Sequence, residues 1–402
     1  MSGRRILSLA VVVLFVAALV PRAAASHTYR IGFIASTSGP GASLGIPERF
    51  VARMLQDRLT GQRGIVGPDK VRHNVEILVF DDQSSADVAA GLARRLIEEG
   101  VVVLVAGTLT GPSLAMVPIA TEARTPMVSM ASARAIIEDP ATKRMRPWIF
   151  KPVPENIQSA QKQAEYLKAA GLTKICYLYE NSAYGQDTFA SGNAVFPGAG
   201  ATIVYGDSFD RTGTEFPQVA RVRASGCQAV VIGSIPPAAS LINVAVRERE
   251  ARIRIIHGHG ACSPDLIATA GRAAEGTVMP CGKILVADQL PPNDPIRTFN
   301  LRLISDYRVS TGGQPISTFA GHAYDALTWA LNALRNLPDG LALPAARQAV
   351  RDALETKTVN LSGTHAIFTL SPEDHLGFKY PDFEFVTVKG GRFVILPRAQ
   401  WK

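Results

Sequence analysis

The chain has 402 residues, 47% of them hydrophobic, 19% charged and 7% aromatic, with a formal net charge of +8. That apolar share exceeds what disordered chains carry, glycine and proline are scattered rather than repeated, and only one stretch, at the N-terminus, could enter a membrane. Collagen, coiled coil, multi-span transporter and small disulfide scaffold are thereby excluded, and the length fits two domains.

Arg4 and Arg5 precede an apolar run from Ile6 to Val20, followed by Pro21, Arg22 and Ala23-Ala24-Ala25. The run is shorter than the roughly 20 residues of a spanning helix. Charge, short core and small-residue triplet form a secretory signal over residues 1–25, so the mature protein is expected in the periplasm. Losing those three arginines lowers the net charge from +8 to +5. No Lys/Arg block with interleaved aromatics occurs, so no nucleic-acid partner is expected. Cys176, Cys227, Cys262 and Cys281 remain where disulfides can persist, in any of three pairings. Cys176, inside an apolar run, reads equally well as a buried free thiol.

Tyr29–Ala35 reads as a strand, followed by a Gly/Ser/Pro loop from Ser36 to Ile46 and a helix opened by Pro47. Val75–Phe80 is a strand. Val88, Leu92 and Leu96 mark a helix over Asp87–Glu99 that Gly100 stops. The wholly apolar Val101–Ala106 suits a parallel strand covered on both faces, and Met127–Ser129 is a further short strand. Phe150-Lys151-Pro152-Val153-Pro154 breaks the rhythm, which then restarts. Helices are expected at Asn156–Ala170, Tyr184–Val195 and Ala238–Arg249, and strands at Lys174–Glu180, Ala229–Ile232 and Ile253–His257. Two successive β-α-β-α blocks argue for an α/β protein with two open parallel sheets, each doubly wound. Helices follow at Pro295–Val309, Phe319–Leu337 and Pro344–Leu354. Phe383–Val388 and Phe393–Leu396 then flank Lys389-Gly390-Gly391 as a hairpin.

In such sheets ligands bind beyond the carboxyl ends of the strands. Polar turns follow those strands here: 36–39, 107–111, 129–133, 181–185 and 257–260. They offer backbone N–H groups at helix N-termini, a ready site for a carboxylate, although Ser and Thr there also serve as plain caps.

Gly41-Ala42-Ser43-Leu44-Gly45 matches the G-x-S-x-G of hydrolases. That motif must sit on a sharp strand-to-helix turn, and Ser43 is expected inside a flexible loop. Gly39-x-Gly41-x-x-x-Gly45 has one residue too many for a dinucleotide fingerprint and lacks the acid further on. His257-x-His259 with Cys262 has metal-ligand types but no completing cluster, so neither metal nor cofactor is expected.

The chain resembles the periplasmic solute-binding proteins of ABC importers, of the branched-chain amino-acid-binding (type I) kind. The resemblance is carried by Ile31-Gly32 with Ser38-Gly39-Pro40, Asp81-Asp82-Gln83-Ser84, Glu98-Glu99-Gly100, Ala183-Tyr184-Gly185, Ala270-Gly271 before Ala274-Glu275-Gly276, Ala323-Tyr324-Asp325-Ala326 and Asp374-His375-Leu376-Gly377. It implies two lobes, residues 27–150 with 281–367 and 151–280 with 378–402. Three crossovers would join them, near Phe150–Pro154, near Glu275–Pro280 and between Phe368 and Tyr380. It further implies that Leu109, Thr110 and Gly111 in one turn, and Ala131, Ser132 and Ala133 in another, hold a ligand carboxylate. Tyr184 would cover the ligand. Ser38 and Ile235, in loops after the first strand and after Ala229–Ile232, complete the candidate contacts.

His259 departs from the family, occupying the place of the glutamate that pairs with a ligand's ammonium. An imidazole cannot replace that attraction and suits an acid or a hydroxylated ligand, whose far end His259 would orient, so an aromatic or aliphatic organic acid is expected rather than a plain amino acid. No catalysis is expected; the partners are a small-molecule ligand and an ABC permease at the inner membrane. The alternatives are branched-chain or other hydrophobic amino acids in the same site, an exported serine hydrolase using Ser43, or a periplasmic sensor module.

Overall fold

The structure is a computed structural model that describes residues 27–338 and 340–401. The expected secretory signal therefore lies outside the described residues. The chain opens with β1 (Thr28–Ala35), α1 (Ala42–Gly61), β2 (Ile65–Val66), β3 (Arg72–Asp81), α2 (Ala86–Glu98) and β4 (Val103–Ala106). It continues with α3 (Thr110–Glu122), β5 (Met127–Ser129) and β6 (Ile149–Phe150). These six strands form one sheet in the order β2-β3-β1-β4-β5-β6, parallel except for the short β2.

The second sheet begins after α4 (Asn156–Ala169), with β7 (Lys174–Glu180), α5 (Ala183–Val195), β8 (Thr202–Phe209), α6 (Ala220–Ala224), β9 (Ala229–Gly233), α7 (Ala238–Arg249), β10 (Arg254–His257), α8 (Pro264–Ala270) and β11 (Val278–Cys281). The chain then returns through α9 (Arg297–Thr311), α10 (Thr318–Leu334), α11 (Leu343–Lys357) and the small ribbon of β12 (Leu361–Ser362) and β13 (Ile367–Phe368) against the first sheet's core. It ends on β14 (Glu384–Lys389) and β15 (Arg392–Ile395), which extend the second sheet to β15-β14-β11-β10-β9-β7-β8. Their antiparallel pairing makes that sheet mixed, where purely parallel sheets were expected.

The apolar runs explain the layers. All four residues of β4 and all five of β9 are buried, as central strands covered by helices on both faces must be. Edge strand β8 alternates exposed and half-buried positions, too weak a hydrophobic pattern to be read from the sequence. Ser85 caps α2 by accepting the Val88 N–H (3.4 Å), and Gly100, at φ +85°, lies just past its end.

Two expectations fail at the N-terminal turns. The loop read over Ser36–Ile46 is helical from Ala42: the Gly41 N–H donates to Ser84 Oγ at 2.9 Å, and Pro47 falls within the second turn. Gly45 serves close packing rather than flexibility, since a Cβ there would lie 2.1 Å from the Ser36 carbonyl oxygen. Helix α3 was not anticipated, because Pro112 and Pro118 and its uniformly apolar surface mask a helical period.

The chain crosses between sheets after β6, after β11 and between β13 and β14. The second passage starts at Gly282, directly after β11. A side chain at Gly282 would strike the ring of His365 at 2.1 Å. The first and third passages are strapped together: the Lys151 N–H donates to the His375 carbonyl (3.1 Å), and His375 stacks on Phe150 with centroids 4.1 Å apart. The cysteines pair as Cys176–Cys227 and Cys262–Cys281, so Cys176 is not a free thiol.

Candidate ligand-binding site

The carboxyl ends of both sheets face one another across a narrow cleft whose free volume is only about 20 Å³. From the first lobe it is lined by Thr108, Leu109 and Thr110 after β4, Met130, Ala131 and Ser132 after β5, Leu44 of α1, and Phe319 and His322 of α10. The second lobe contributes Tyr184 of α5, Ile235 after β9, and His259 and Gly260 after β10, with Val153 from the first crossover. Leu44, Leu109, Phe319, Tyr184 and Ile235 form one buried apolar cluster, so the jaws meet. Ser43 Oγ donates to the Pro236 carbonyl across the cleft at 2.7 Å, and Thr318 Oγ1 donates to the Cys262 carbonyl at 2.7 Å. Larger depressions elsewhere, such as one lined by Ile267, Ile304 and Phe393, do not gather strand-end turns.

Each wall is fixed from behind. Thr108 Oγ1 accepts the Ser36 N–H (2.9 Å) and donates to the buried carboxyl of Glu48. Burial, which outweighs the hydrogen bond from Thr108, pushes the Glu48 carboxyl well above the usual carboxylate range. In the second lobe, Glu180 at the end of β7 accepts from Ser234 Oγ (2.8 Å) and the Ile235 N–H (3.2 Å), and pairs with Arg211 at 3.3 Å. It thereby sets the loops that carry Tyr184 and Ile235. The Gly260 N–H donates to Tyr184 Oη at 3.1 Å, and a Cβ on Gly260 would lie 2.1 Å from that oxygen.

The electrostatics are one-sided. Among the described residues no aspartate or glutamate lines the cavity. Helix α3 begins there, and of its first N–H groups Pro112 has none while Ser113 donates to Leu109 (3.0 Å). The N–H groups of Thr110 and Gly111 thus remain for an anion, beside a Thr110 hydroxyl that is buried without a partner. Behind Ser132 and Val153 lies a fully buried Lys151, whose Nζ donates to both their carbonyls (2.7 and 3.0 Å). Burial lowers its pKa to about 8, so it is mostly protonated at neutral pH, with no carboxylate in ion-pair contact among the described residues. His259 is pushed down to about 3 by burial, then by Lys151 and His365, and is neutral.

Of the sequence-derived candidates, the fold brings Leu109, Thr110, Ala131, Ser132, Tyr184, Ile235 and His259 to the cavity lining. Gly111 flanks it through its backbone. Ser38 does not reach it: it is exposed, its N–H donates to Asp81 Oδ1 (3.2 Å), and its carbonyl accepts from Ser84 Oγ. Ala133 points into the first lobe's core instead. Thr108, Met130 and Gly260 also line it, from turns the sequence marks only as whole segments, and Leu44, Val153, Phe319 and His322 join them from outside those turns. Phe319 and His322 had a visible signal, one turn before Ala323-Tyr324-Asp325-Ala326. The hydrolase reading loses its nucleophile, because Ser43 lies within α1 and its hydroxyl is spent on Pro236. The metal reading loses Cys262 to a disulfide and His257 to Asn243 Oδ1 at 3.0 Å.

A family model described as periplasmic binding protein matches residues 28–392, nearly the whole of both lobes. The chain belongs to the periplasmic binding protein family. Among relatives of this periplasmic binding protein is the Leu/Ile/Val-binding protein BraC3 of Rhizobium johnstonii, 24% identical over 82% of this chain and 88% of that one. An extracellular ligand-binding receptor of Rhodopseudomonas palustris HaA2 superposes with a TM-score of 0.83 at 29% identity, over 92% of this chain and 99% of that one. LivJ of Streptococcus pneumoniae, solved with isoleucine, shares the fold at TM-score 0.76 and 20% identity, over 91% and 97% of the two chains. These relatives are binding proteins rather than enzymes, with the two-lobed type I architecture. Among the described residues no helix is long and apolar enough to cross a membrane.

Proposed function

We propose that this periplasmic binding protein is the extracytoplasmic receptor of an ABC importer, capturing a small carboxylate with an apolar body between its lobes and releasing it chemically unchanged. The observation that carries this reading is the cavity's charge: among the described residues no acidic side chain lines it, a helix N-terminus opens into it, and the buried Lys151, with Glu155 and Asp187 nearby but outside ion-pair contact, backs it. A buried unpaired cation costs several kcal/mol, and a bound anion offsets that cost. A zwitterion brings an ammonium that finds no carboxylate. Closure removes water from both ends of the ligand and strengthens each hydrogen bond, and the ligand's preference for the closed form is what a permease could read.

A second reading is favoured by the relatives' names: a Leu/Ile/Val-binding protein and a leucine-, isoleucine-, valine-, threonine- and alanine-binding protein match this chain. A branched-chain amino acid shares the carboxylate and the apolar body, and its ammonium would rest on carbonyl and hydroxyl oxygens alone. Isothermal titration of the purified chain with 4-methylpentanoate against leucine, and 3-phenylpropanoate against phenylalanine, separates the two. The first reading expects each amine-free acid to bind at least tenfold tighter than its amino counterpart. Tight leucine binding with no response to either acid overturns it in favour of the second.

A further inference from the structure

The cavity holds a second polar patch that a carboxylate grip leaves unused. His259 follows β10 and His322 lies in the first turns of α10, so two imidazoles reach the lining from opposite lobes. They are 5% and 2% exposed, and Nδ1 of each is buried without a hydrogen-bond partner. An unsatisfied buried polar atom is expensive, so two of them on one cavity point to a ligand group that satisfies both.

Both rings are held in place by neighbours. His322 packs between Phe319 (centroids 5.5 Å) and His365 (4.6 Å). His365 is itself anchored through Nδ1 to Thr364 Oγ1 (2.5 Å) and Asp325 Oδ2 (3.2 Å). His259 sits between Tyr184 (6.4 Å) and Phe383 (5.9 Å). Both are uncharged, because burial comes first among the causes that depress them and the nearby Lys151 adds to it.

A neutral imidazole carries one N–H and one lone pair. Two such rings can therefore present a donor from one and an acceptor from the other. A hydroxyl carries both complements, a lone pair that accepts and a hydrogen that donates. An ammonium has no lone pair to accept with and would add a second cation near Lys151. A second carboxylate would meet only part of its hydrogen-bonding needs and would bring another buried charge.

We propose that His259 and His322 form a hydroxyl-selecting subsite, and that the preferred ligand is a hydroxylated acid whose apolar body lies against Leu109, Phe319, Tyr184 and Ile235. The proposal rests on the carboxylate reading above and adds the far end of the ligand to it.

The test is isothermal titration of the full chain with matched acids: benzoate and 4-hydroxybenzoate, phenylacetate and 4-hydroxyphenylacetate, hexanoate and 6-hydroxyhexanoate. The aromatic and aliphatic arms distinguish a phenol from an alcohol. In at least one pair the hydroxylated member should bind about tenfold tighter or more, the effect of one well-made hydrogen bond to an otherwise orphaned group. His322→Leu and His259→Leu should each bring that ratio within threefold of unity. A cooperative thermal unfolding transition followed by circular dichroism shows that each variant is folded, and His322→Gln should restore part of the preference. Equal binding of both members of every pair by the wild type, or a preference that survives both leucine variants, overturns the subsite while leaving the carboxylate reading intact. Binding of leucine with no response to any acid overturns the carboxylate reading and the subsite with it.

Discussion

The two walls of the cleft are built differently although they come from similar sheets. The first lobe offers backbone N–H groups at the start of α3, the Thr110 hydroxyl and the buried Lys151 behind Ser132. The second offers Tyr184, Ile235 and a neutral His259, on loops held by Glu180 and by the Cys262–Cys281 disulfide. Under the proposed function, one jaw reads the ligand's charge through groups common to any carboxylate, and the other reads its shape and far end. Changes in the first should move affinity for every ligand alike, and changes in the second should move selectivity.

The disulfides give the largest effects and separate the lobe's framework from its loop. Cys176–Cys227 closes a segment of 51 residues and joins β7 to the residues after α6, away from the cavity, whereas Cys262–Cys281 closes one of 19 and anchors the loop that carries His259 and Gly260. Replacing each pair by serine should lower the urea-unfolding free energy by about 4 and about 3 kcal/mol respectively. The second pair should also weaken ligand binding and the first should not. Loss of binding from both alike would mean that the lobe responds as one rigid unit.

Thr110→Val tests the charge-reading jaw. Its hydroxyl is buried without a partner in the free protein, and a charge-assisted hydrogen bond to a carboxylate is worth about 1.5–3 kcal/mol. Titration should show a loss of at least tenfold for every acid that binds, with ratios between acids unchanged. A change of ratios instead would assign Thr110 to shape recognition.

Lys151 gives a pH signature in the same jaw. Its folded pKa of about 8 lies below the ordinary 10.5, so between those values the unfolded chain holds a proton that the folded chain has released. Stability contributed by this group therefore rises with pH across that window, and the cost of burying the charge is present in full below it. Between pH 7.5 and 9.5 the ligand-free wild type should gain about 2 kcal/mol relative to Lys151→Met in urea unfolding. Saturating acid should shift the gain to higher pH, because a bound anion keeps the lysine protonated.

How much of this was legible in the sequence follows from the kind of signal each feature leaves. Lys174–Glu180 and Ala238–Arg249 were read to the residue, because an apolar run between breakers and a helical period are local. Helix α3 and strand β8 left no such pattern, being apolar all round and half-exposed respectively. At the site, the turns at strand ends could be named, since the topology of an open α/β sheet dictates where ligands lie. Ser38 and Ala133 show the limit of that rule: within a turn of four or five residues, hydrogen bonds to Asp81 or packing in the core decide which side chain faces the cleft. Lys151 left no sign as a site residue, because its place behind Ser132 and Val153 is set by tertiary packing.

Ser43 marks the seam between the two jaws and offers the smallest effect. Its hydroxyl donates to the Pro236 carbonyl across the cleft, so the bond ties the two lobes together and belongs to neither wall alone. Removing it should cost about 1 kcal/mol of the closed state, which appears as a loss of affinity of about fivefold, equal for all ligands because none of them touches the bond. Titration of Ser43→Ala with the best-binding acid measures this, and mass spectrometry of the recovered ligand checks that it leaves unaltered. A selective effect on one ligand would place Ser43 in the lining. Conversion of the ligand by the wild type, abolished in the variant, would return the hydroxyl to the role of nucleophile that its bond to Pro236 now argues against.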